Sequence, residues 1–597
     1  MVTQLGRWLA QVGLKNGRRD WLWALGLGLA ALPLFWINLG GPTLRDWDEA
    51  TVAQVAREIA QAGIGPGFAS GAGSSFWQAL LHPTLWGVAY VNKPPLMHGL
   101  IALLFRGFGV HEWTARLPSA SLSALGVPLL YGILRQLQPL RRTALLGAIA
   151  YLTLLPIVRH GRLAMLDGAI VCFYLLTVWA GLRSRRDGRW SLGIGLGVGL
   201  MCLTKGVLGL LLGGLVLVFL AWDTPRLLAS GYLWAGLLLG LGPAIAWYAN
   251  QALAGAEDFV QRGLVDQALK RLWEPVEDHR GSIFYYFSEL LEWGWPWVMF
   301  LPWGLEQAWR ERGWSWGKLV LVLGGGYFAV ISSAQTKLPW YIMPLYPVVA
   351  IAIAPVLTNA WDRLGGTGME PYTPERSPRI WLGLLGLLTL VAVVGCAYFS
   401  GVLGFLGTFL GLTGPGGGAD GWIAIALGLV AAGMALSAGL LGRGDAQWIL
   451  VLAWSWYLGL LVLMASPSWV FELGEAEAVQ PMAAVIRARP QPGLPVYTMN
   501  PIERPSLSFY SETRVIPLCG LPPAFYPTEP FYLWLQAQDQ AALNLAQPGS
   551  GPDLGGPDLG AAEGWQLQGP LQLTQPTLED GLRSRLVQRC DPPRELP

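Results

Sequence analysis

Residues 46–63 read DWDEATVAQVAREIAQAG and residues 90–96 read YVNKPPL, and the rest of the chain can be arranged around these two stretches. The first follows the first long apolar segment directly, and the second introduces the next apolar run. Asp48, Glu49 and Lys93 therefore lie beside hydrocarbon, where charge is costly and commonly marks a functional site. The alternative interpretation is a solvated loop beside a membrane.

The composition is that of a membrane protein. Of the 597 residues, 53% are hydrophobic and 13% are charged, whereas soluble domains carry about 25% charged residues. Apolar runs of about 16–22 residues recur along most of the chain, which is typical of spanning helices. The sequence therefore predicts a polytopic α-helical membrane protein. The net charge of +2 gives no sign of a nucleic-acid partner.

The apolar runs predict about thirteen transmembrane helices. Their approximate ranges are 21–38, 117–134, 142–158, 167–183, 190–203, 206–222, 231–249, 289–305, 318–334, 340–358, 380–400, 421–441 and 447–466. The short run 94–108, entered through Pro94 and Pro95, is interpreted as a juxtamembrane or re-entrant segment that does not cross.

Basic residues set the orientation of these helices, because cytoplasmic loops carry an excess of Lys and Arg. The flank before the first span is basic, and so are the loops 183–190 and 306–318. This pattern predicts a cytoplasmic N-terminus and an external C-terminus. It places the loops 39–116 and 250–287 on the outer face.

The chain changes character near residue 467, so residues 1–466 are the predicted membrane domain. Residues 467–597 are less hydrophobic and contain the strand-like runs LPVYTM (494–499), SLSFY (506–510), RVIPL (514–518) and FYLWLQ (531–536). We predict a small extracytoplasmic α/β domain, with the GPDLG copies at 551–560 as a flexible loop. Cys519 and Cys590 could pair there if the compartment is oxidising.

Seven charged residues fall at or near span ends on the predicted outer side: Asp48, Glu49, Lys93, Arg162, Asp167, Lys205 and Lys337. Basic residues are normally depleted from outer membrane-proximal loops, so the lysines are expected to have a partner. A lipid phosphate fits this expectation. A carboxylate would then take the proton of an attacking hydroxyl, and the lysines would stabilise a phosphate leaving group.

Structural alternatives stay open for several of these residues. Lys205 and Lys337 could each extend to lipid headgroups. Asp167 and Arg162, five residues apart, could form an ion pair.

Five stretches occur in the order DEATVAQVAREI (48–59), KPPLMHGLIALLFRGFGVHEWTARLPSA (93–120), GRLAMLD (161–167), LTKG (203–206) and TKLPWYIMPLYP (336–347). In this order they resemble the bacterial lipid-linked sugar glycosyltransferases of the aminoarabinose transferase type, within the broader protein O-mannosyltransferase superfamily of GT-C fold. The tail stretches AVIRARPQPGLPVY (484–497) and RPSLSFY (504–510) are similar to the family's periplasmic domain. The motifs are fairly specific for the superfamily and weak for any one substrate.

The resemblance implies a multi-pass GT-C glycosyltransferase of the bacterial inner membrane, with a polyprenyl-phosphate-sugar donor, an outer-face site and inversion at the anomeric carbon. Carried over by position, Asp48 would be the general base or an acceptor-site carboxylate, and Asp167 would be a second functional acid. Lys93 would hold the donor phosphate, and Lys337 and Tyr341 would line the donor site. The candidate set is thus catalytic Asp48, Glu49 and Asp167, with substrate binding by Lys93, Arg162, Lys205, Lys337 and Tyr341.

Two departures from the family pattern concern the first loop. Thr51 stands where the family often has Arg, and Asn92 stands where some members have an acidic residue linked to divalent metal binding. The second departure weakens the case for a bound divalent metal, and no cofactor is assigned. His279 could ligate a metal with Glu277 or Asp278 in the loop EDHRG.

We therefore expect an enzyme that moves a sugar from a polyprenyl-phosphate carrier to an envelope acceptor: a lipid A-type lipid, a glycan or a protein. Two other classes stay open. A transporter or flippase for a lipid-linked sugar predicts charges near the bilayer midplane and an inverted repeat. A non-catalytic scaffold of a cell-envelope complex predicts that the charged cluster can be lost without effect.

Overall fold

The computed structural model describes residues 19–64, 75–254, 281–364, 377–403, 420–471, 479–519, 530–536 and 565–571. These residues form a large bundle of α-helices and a smaller unit with a four-stranded sheet. Most of the predicted loop 250–287, His279 and the repeats at 551–560 lie outside the described residues.

Helix α1 (Asp20–Trp36) opens the bundle, and the loop after it leads into α2 (Glu49–Gln61). Short elements follow: α3 (Phe76–Leu81), the hairpin strands β1 (Thr84–Leu85) and β2 (Val88–Ala89), and α4 (Leu96–Phe108). The rest of this half consists of α5 (Glu112–Leu137), α6 (Arg141–Leu152), α7 (Leu155–Arg162), α8 (Asp167–Arg183), α9 (Ser191–Lys205), α10 (Val207–Asp223) and α11 (Gly231–Ala254).

The second half of the bundle contains α12 (Tyr285–Trp293), α13 (Leu301–Arg310), α14 (Ser315–Leu319), α15 (Tyr327–Ser333), α16 (Tyr346–Leu364), α17 (Ser377–Phe399), α18 (Gly421–Gly442) and α19 (Trp448–Ala465). A π-helical segment, Val320–Gly326, joins α14 to α15. A 3₁₀ helix, Pro339–Leu345, leads into α16.

Seven helical segments among the described residues are long and apolar enough to cross a membrane: Glu112–Leu137, Gly231–Ala254, Ser315–Ser333, Pro339–Leu364, Arg379–Phe399, Gly421–Gly442 and Trp448–Ala465. Helices α6 and α7, bent by 57°, form an eighth if they are taken as one span. The segment Pro339–Leu364 is enclosed by the others, since 94% of its most apolar stretch is buried. The chain is therefore a polytopic helical membrane protein.

Two predicted spans are broken by proline. The sequence predicts one helix over 289–305, but the helical backbone breaks between α12 and α13 at Pro296, which has no N–H to donate. The predicted span 142–158 is divided between α6 and α7, with Pro156 in the first turn of α7. Both predictions of a single continuous helix were wrong for this reason.

Helices α9 and α11 cross with almost no side chain between them. A Cβ atom added at Gly195 would lie 1.9 Å from the backbone of Gly236, and one added at Gly199 would lie 1.8 Å from the carbonyl oxygen of Gly240. Each helix thus presents two glycines spaced by four residues, which is the small-residue pattern of closely packed membrane helices. This contact fixes the position of α9, whose last residue is Lys205.

The smaller unit contains α20 (Val479–Arg487), α21 (Pro505–Ser511) and the strands β3 (Val496–Thr498), β4 (Val515–Pro517), β5 (Phe531–Gln536) and β6 (Trp565–Leu571). The strand order is β4-β3-β5-β6, with β3 parallel to both neighbours and β5 antiparallel to β6. The strand predicted at SLSFY (506–510) is wrong. This run is helical because Pro505 starts α21 and its apolar side chains face the sheet.

The smaller unit packs on the loop that precedes α2. Arg504 Nε lies 3.2 Å from Asp46 Oδ2, and the backbone N–H of Ser506 donates to Asp46 Oδ1 at 2.7 Å. Arg57 of α2 donates to the carbonyl of Phe509 at 2.8 Å. Cys519 is disulfide-bonded, and Cys590, the partner that the sequence suggests, lies outside the described residues.

Candidate active site

Asp48 immediately precedes α2, and its carboxylate is half-buried. Among the described residues it makes no hydrogen bond and no ion pair within 4 Å. Burial raises the pKa of Asp48 to about 7, with Asp167 and Glu49 adding to the rise and Lys205 and Lys93 opposing it. Four charged side chains from four separate parts of the chain therefore act on this one carboxylate.

Asp167 and Lys205 form a buried ion pair beside Asp48. Lys205 Nζ lies 2.7 Å from Asp167 Oδ1 and 2.9 Å from Oδ2. Asp167 starts α8 and Lys205 ends α9, so the pair joins two helix ends at one face of the bundle. Gly206 follows with φ +55°, which lets the backbone turn sharply after the lysine. Lys205 Nζ also lies 5.3 Å from the ring centroid of Tyr341.

The hairpin of β1 and β2 delivers Tyr90 and Lys93 to the same region. Tyr90 is buried, and burial, with the charge of Asp48, raises the pKa of its hydroxyl. Its ring packs edge-on against His98, with centroids 5.5 Å apart. Tyr90 was missed by the sequence reasoning, because a tyrosine between a Gly/Ser-rich run and a proline pair carries no motif of its own.

Glu58 of α2 holds this hairpin. Its carboxylate accepts the Thr84 hydroxyl at 2.5 Å and the backbone N–H groups of Trp86 and Gly87 at 2.6 and 3.3 Å. Trp86 and Gly87 both have positive φ, as a two-residue hairpin turn requires. An acidic residue within an amphipathic helix gives no signal of this contact, so Glu58 was also missed.

The contacts of Glu49 are those of a structural residue, whereas the sequence predicted a catalytic role for it. Both of its oxygens face Arg116 of α5, at 2.8 Å from Nε and 2.7 Å from Nη2, and neither side chain is exposed. The same carboxylate accepts the backbone N–H groups of Arg45 and Ala164. A carboxylate with four donors has no free lone pair aimed at a substrate. Arg116 lies near the start of an apolar span. A charged residue in that position was the one signal in the sequence that a buried acidic partner should exist.

The contacts of Arg162 also differ from the substrate-binding role predicted for it. It is fully buried and donates to the carbonyls of Leu34, Ile37 and Met464, and its guanidinium lies 4.3 Å from the ring centroid of Trp469. These contacts tie the end of α7 to α1 and α19. Arg162 is therefore not a phosphate ligand in this arrangement, and the alternative of an Arg162–Asp167 ion pair is replaced by the Lys205–Asp167 pair.

Lys337 lies in the loop after α15 and is buried. Its Nζ donates to the carbonyls of Ile331 and Ser332 at 3.0 and 2.7 Å and lies 5.3 Å from the ring centroid of Tyr286. Two of its three N–H donors are thus used by the last turn of α15. Its contact with a donor phosphate stays a prediction. No three His, Cys, Asp or Glu side chains within the described ranges group closely enough to hold a metal ion.

Comparison with known proteins places this site in a family context. Residues 92–248 match the family of dolichyl-phosphate-mannose-protein mannosyltransferases. The undecaprenyl phosphate-alpha-4-amino-4-deoxy-L-arabinose arabinosyl transferase of Erwinia tasmaniensis is 28% identical over 298 residues, which are 48% of this chain and 52% of that protein. Transferase 1 of the same name from Pseudomonas fluorescens is 28% identical over 380 residues, which are 62% of this chain and 65% of that protein.

The solved structures extend the comparison to the fold. ArnT from Cupriavidus metallidurans, bound to undecaprenyl phosphate, aligns with a TM-score of 0.66 and 20% identity over 87% of this chain and 94% of that chain. The chain therefore shares the fold of this solved structure. The matches of this chain to the two sequence relatives span about half to two thirds of the relatives' length.

The matched family region covers only part of the charged cluster in this chain. Lys93, Asp167 and Lys205 lie within residues 92–248, whereas Asp48 and Tyr341 lie outside that range. The fold brings both groups together at one end of the bundle. The arrangement offers a half-buried carboxylate beside two lysines, which is suited to taking a proton next to a bound anion.

Proposed function

We propose that this protein is a glycosyltransferase that moves a sugar from a polyprenyl-phosphate carrier to an acceptor hydroxyl or phosphate at the outer face of the bacterial inner membrane. The observation that carries the proposal is the Asp48 carboxylate. It is half-buried, unpaired among the described residues and acted on by Lys93, Lys205 and Asp167. The names of the relatives support an undecaprenyl-phosphate-linked aminopentose as the donor.

We propose thirteen membrane spans, with the N-terminus in the cytoplasm and residues 467–597 outside. Support comes from the helices, since each of the thirteen predicted apolar runs coincides with helical backbone, although two of them are broken. Helix α4 has 13 residues, which is short for a span of about 20 residues. The disulfide at Cys519 supports an oxidising compartment for the tail.

The chemistry is a direct displacement at the anomeric carbon. The acceptor oxygen forms a bond to this carbon while the bond to the phosphate oxygen breaks, so the configuration inverts. Asp48 takes the acceptor proton as general base. The electron pair leaves on polyprenyl phosphate, whose additional negative charge Lys93 and Lys205 stabilise.

Asp167 and Tyr341 position Lys205 for this task. Asp167 orients the ammonium through both carboxylate oxygens, and the ring of Tyr341 lies against it. A lysine is a compact point charge with three donors, so Lys205 can keep the carboxylate and still turn a proton toward a phosphate oxygen. The acceptor is an envelope lipid, glycan or protein, with surrounding membrane lipids as the further partners.

The test is release of polyprenyl phosphate by purified protein in lipid nanodiscs. Undecaprenyl-phosphate 4-amino-4-deoxy-arabinose and polyprenyl-phosphate mannose serve as donors, with a crude envelope fraction as acceptor. Wild type is compared with Asp48→Asn. Asp46→Asn is the matched control, because it removes the same charge two residues away and keeps an oxygen for the Ser506 N–H.

We expect release with wild type and with Asp46→Asn, and loss of release with Asp48→Asn although donor binding is retained. The active donor would identify the sugar. Equal turnover by wild type and Asp48→Asn would overturn the catalytic role of this carboxylate. Donor movement across vesicle membranes without release would favour the transporter reading instead.

A further inference from the structure

A cavity opens at the end of the bundle opposite the candidate active site, between α1, α5 and α8. Its volume is about 930 Å³, within the range of small-molecule sites. Arg183 lines its mouth and ends α8, whereas Asp167 starts the same helix. A helix of 17 residues is about 25 Å long. The cavity mouth is therefore separated from the candidate active site by nearly the thickness of a bilayer core.

The deeper walls of this cavity are apolar. Leu122, Leu125 and Leu129 contribute from α5, and Phe173 and Leu176 contribute from α8. Leu125 is 54% exposed, so the groove opens sideways to the surroundings of the bundle. In a membrane this opening faces hydrocarbon, and its walls suit an acyl chain.

The mouth carries a surplus of positive charge. Three arginines and one aspartate line it: Arg135, Arg183, Arg186 and Asp20. Asp20 is already neutralised by Arg135 at 3.3 Å and by Arg141 at 2.8 Å. Within the part of the chain that the structure describes, Arg183 and Arg186 have no carboxylate within 4 Å.

Arg183 is also held in place by aromatic rings. Its guanidinium lies 5.7 Å from the ring centroid of Trp179 and 4.8 Å from that of Trp190. Ring contacts leave the edge N–H groups of a guanidinium available for two parallel bonds to a phosphate. The mouth thus combines Arg183, which the rings hold in place, with a second arginine, Arg186, which is exposed.

We propose that this groove binds one anionic glycerophospholipid of the leaflet opposite the candidate active site. Its phosphate would be held by Arg183 and Arg186, and one acyl chain would lie between α5 and α8. Residues 1–18, which precede α1 in the sequence and lie outside the described part, carry Arg7, Lys15 and Arg18. Their charge matches that of the mouth, so charge complementarity favours a lipid anion over this segment.

The test is lipid binding measured by native mass spectrometry on the full-length protein. The probes are dioleoyl phosphatidylglycerol and dioleoyl phosphatidylethanolamine, which share acyl chains and differ in headgroup charge. The variants are Arg183→Ala/Arg186→Ala at the mouth and Leu125→Trp in the groove. Arg189→Ala is the matched control, because this exposed arginine lies in the same loop and does not line the cavity.

We expect wild type and Arg189→Ala to prefer phosphatidylglycerol by about tenfold for one tight site. The double arginine variant is expected to lose the preference, and Leu125→Trp to lose the tight site for both lipids. Equal binding of the two lipids by wild type would overturn the proposal. Displacement of phosphatidylglycerol by stoichiometric undecaprenyl phosphate would also overturn it, because the groove would then belong to the prenyl chain. Retention of polyprenyl phosphate release by the double variant would separate this site from the proposed transfer reaction.

Discussion

Lys205 Nζ lies 2.7 Å from Asp167 Oδ1. The lysine that most favours the charged form of Asp48 is therefore already paired with a second carboxylate. Asp48 therefore faces a nearly neutral pair rather than a free lysine. This explains why burial dominates and raises the pKa of Asp48 to about 7. A carboxylate with such a pKa is a stronger base than one in water.

Replacing Asp48 by Asn should remove catalysis without disturbing the fold. The loss of a general base is expected to lower kcat by about 100- to 10,000-fold. The melting temperature is expected not to fall below that of wild type, because the carboxylate makes no hydrogen bond within the described ranges and its burial in the charged form is unfavourable. Polyprenyl phosphate release and thermal unfolding of the same preparation measure the two effects. A large drop in melting temperature would mean that Asp48 is structural.

Replacing Glu49 by Gln should lower the stability of the protein and affect catalysis only through the loss of folded protein. The change leaves the Arg116 guanidinium buried without a counter-charge, which typically costs about 3–5 kcal/mol. We expect reduced expression and a lower melting temperature, with residual activity in proportion to the folded fraction. The double variant Glu49→Gln/Arg116→Met removes both charges and should recover part of the stability. A stable but inactive Glu49→Gln protein would restore the catalytic role predicted from sequence.

Much of the fold could be predicted because apolar runs and basic loops are local signals. The breaks at Pro296 and near Pro156 were missed, since a proline within an apolar run only sometimes ends a helix. The run SLSFY was predicted as a strand because its residues alternate, yet Pro505 and packing against the sheet make it helical. In such short runs tertiary contacts override the local pattern.

The site could be predicted less completely than the fold. Asp48, Lys93, Asp167 and Lys205 were identified from charge placement and family order, and the structure brings them together. The division of labour between Asp48 and Glu49 could not be seen, because it depends on Arg116, which is 67 residues from Glu49 in the chain. Long-range partners of this kind leave no local pattern in a single sequence.

The pH dependence of the reaction should report Asp48. Its folded-state pKa is raised from 3.8 to about 7, so the base form is scarce below pH 7. We expect kcat/KM to rise about tenfold per pH unit below 7 and to level off above it. The profile is measured by polyprenyl phosphate release in buffers of constant ionic strength. A flat profile between pH 5.5 and 8.5 would exclude Asp48 as the base.

Stability should move in the opposite direction from activity. Because the pKa of Asp48 is raised, the folded state binds more protons than the unfolded state between pH 3.8 and about 7. Its contribution to stability is therefore fully present below 3.8 and is lost as pH rises through about 7. In Asp48→Asn this part of the pH dependence of the melting temperature should be missing.

Lys205→Met should weaken donor binding more than Asp167→Asn. The first change removes the cation proposed for the donor phosphate and leaves Asp167 buried without its partner. The second keeps the cation and releases it from the carboxylate. We expect an affinity loss of at least tenfold for undecaprenyl phosphate in Lys205→Met, measured by calorimetry in nanodiscs. Lys205→Arg should recover part of the affinity. Equal affinity of Lys205→Met and wild type would remove Lys205 from the donor site.

Glu58 should act on donor binding through the hairpin rather than through contact. Its carboxylate accepts the Thr84 hydroxyl and the N–H groups of Trp86 and Gly87, and the strand after this turn leads to Lys93. Glu58→Gln replaces one acceptor oxygen with an NH₂ group, which cannot accept these donors. The turn should therefore loosen, and Lys93 should be less well placed.

Two readouts separate this positioning role from general damage. Hydrogen exchange of residues 84–93 should become faster in Glu58→Gln, and affinity for undecaprenyl phosphate should fall by about three- to tenfold, comparable to the loss of one or two hydrogen bonds. Glu112→Gln is the control, because Glu112 accepts a hydrogen bond from Tyr510 away from the hairpin. Faster exchange with unchanged affinity would show that the hairpin does not position Lys93. Unchanged exchange would show that the Glu58 contacts do not hold the turn.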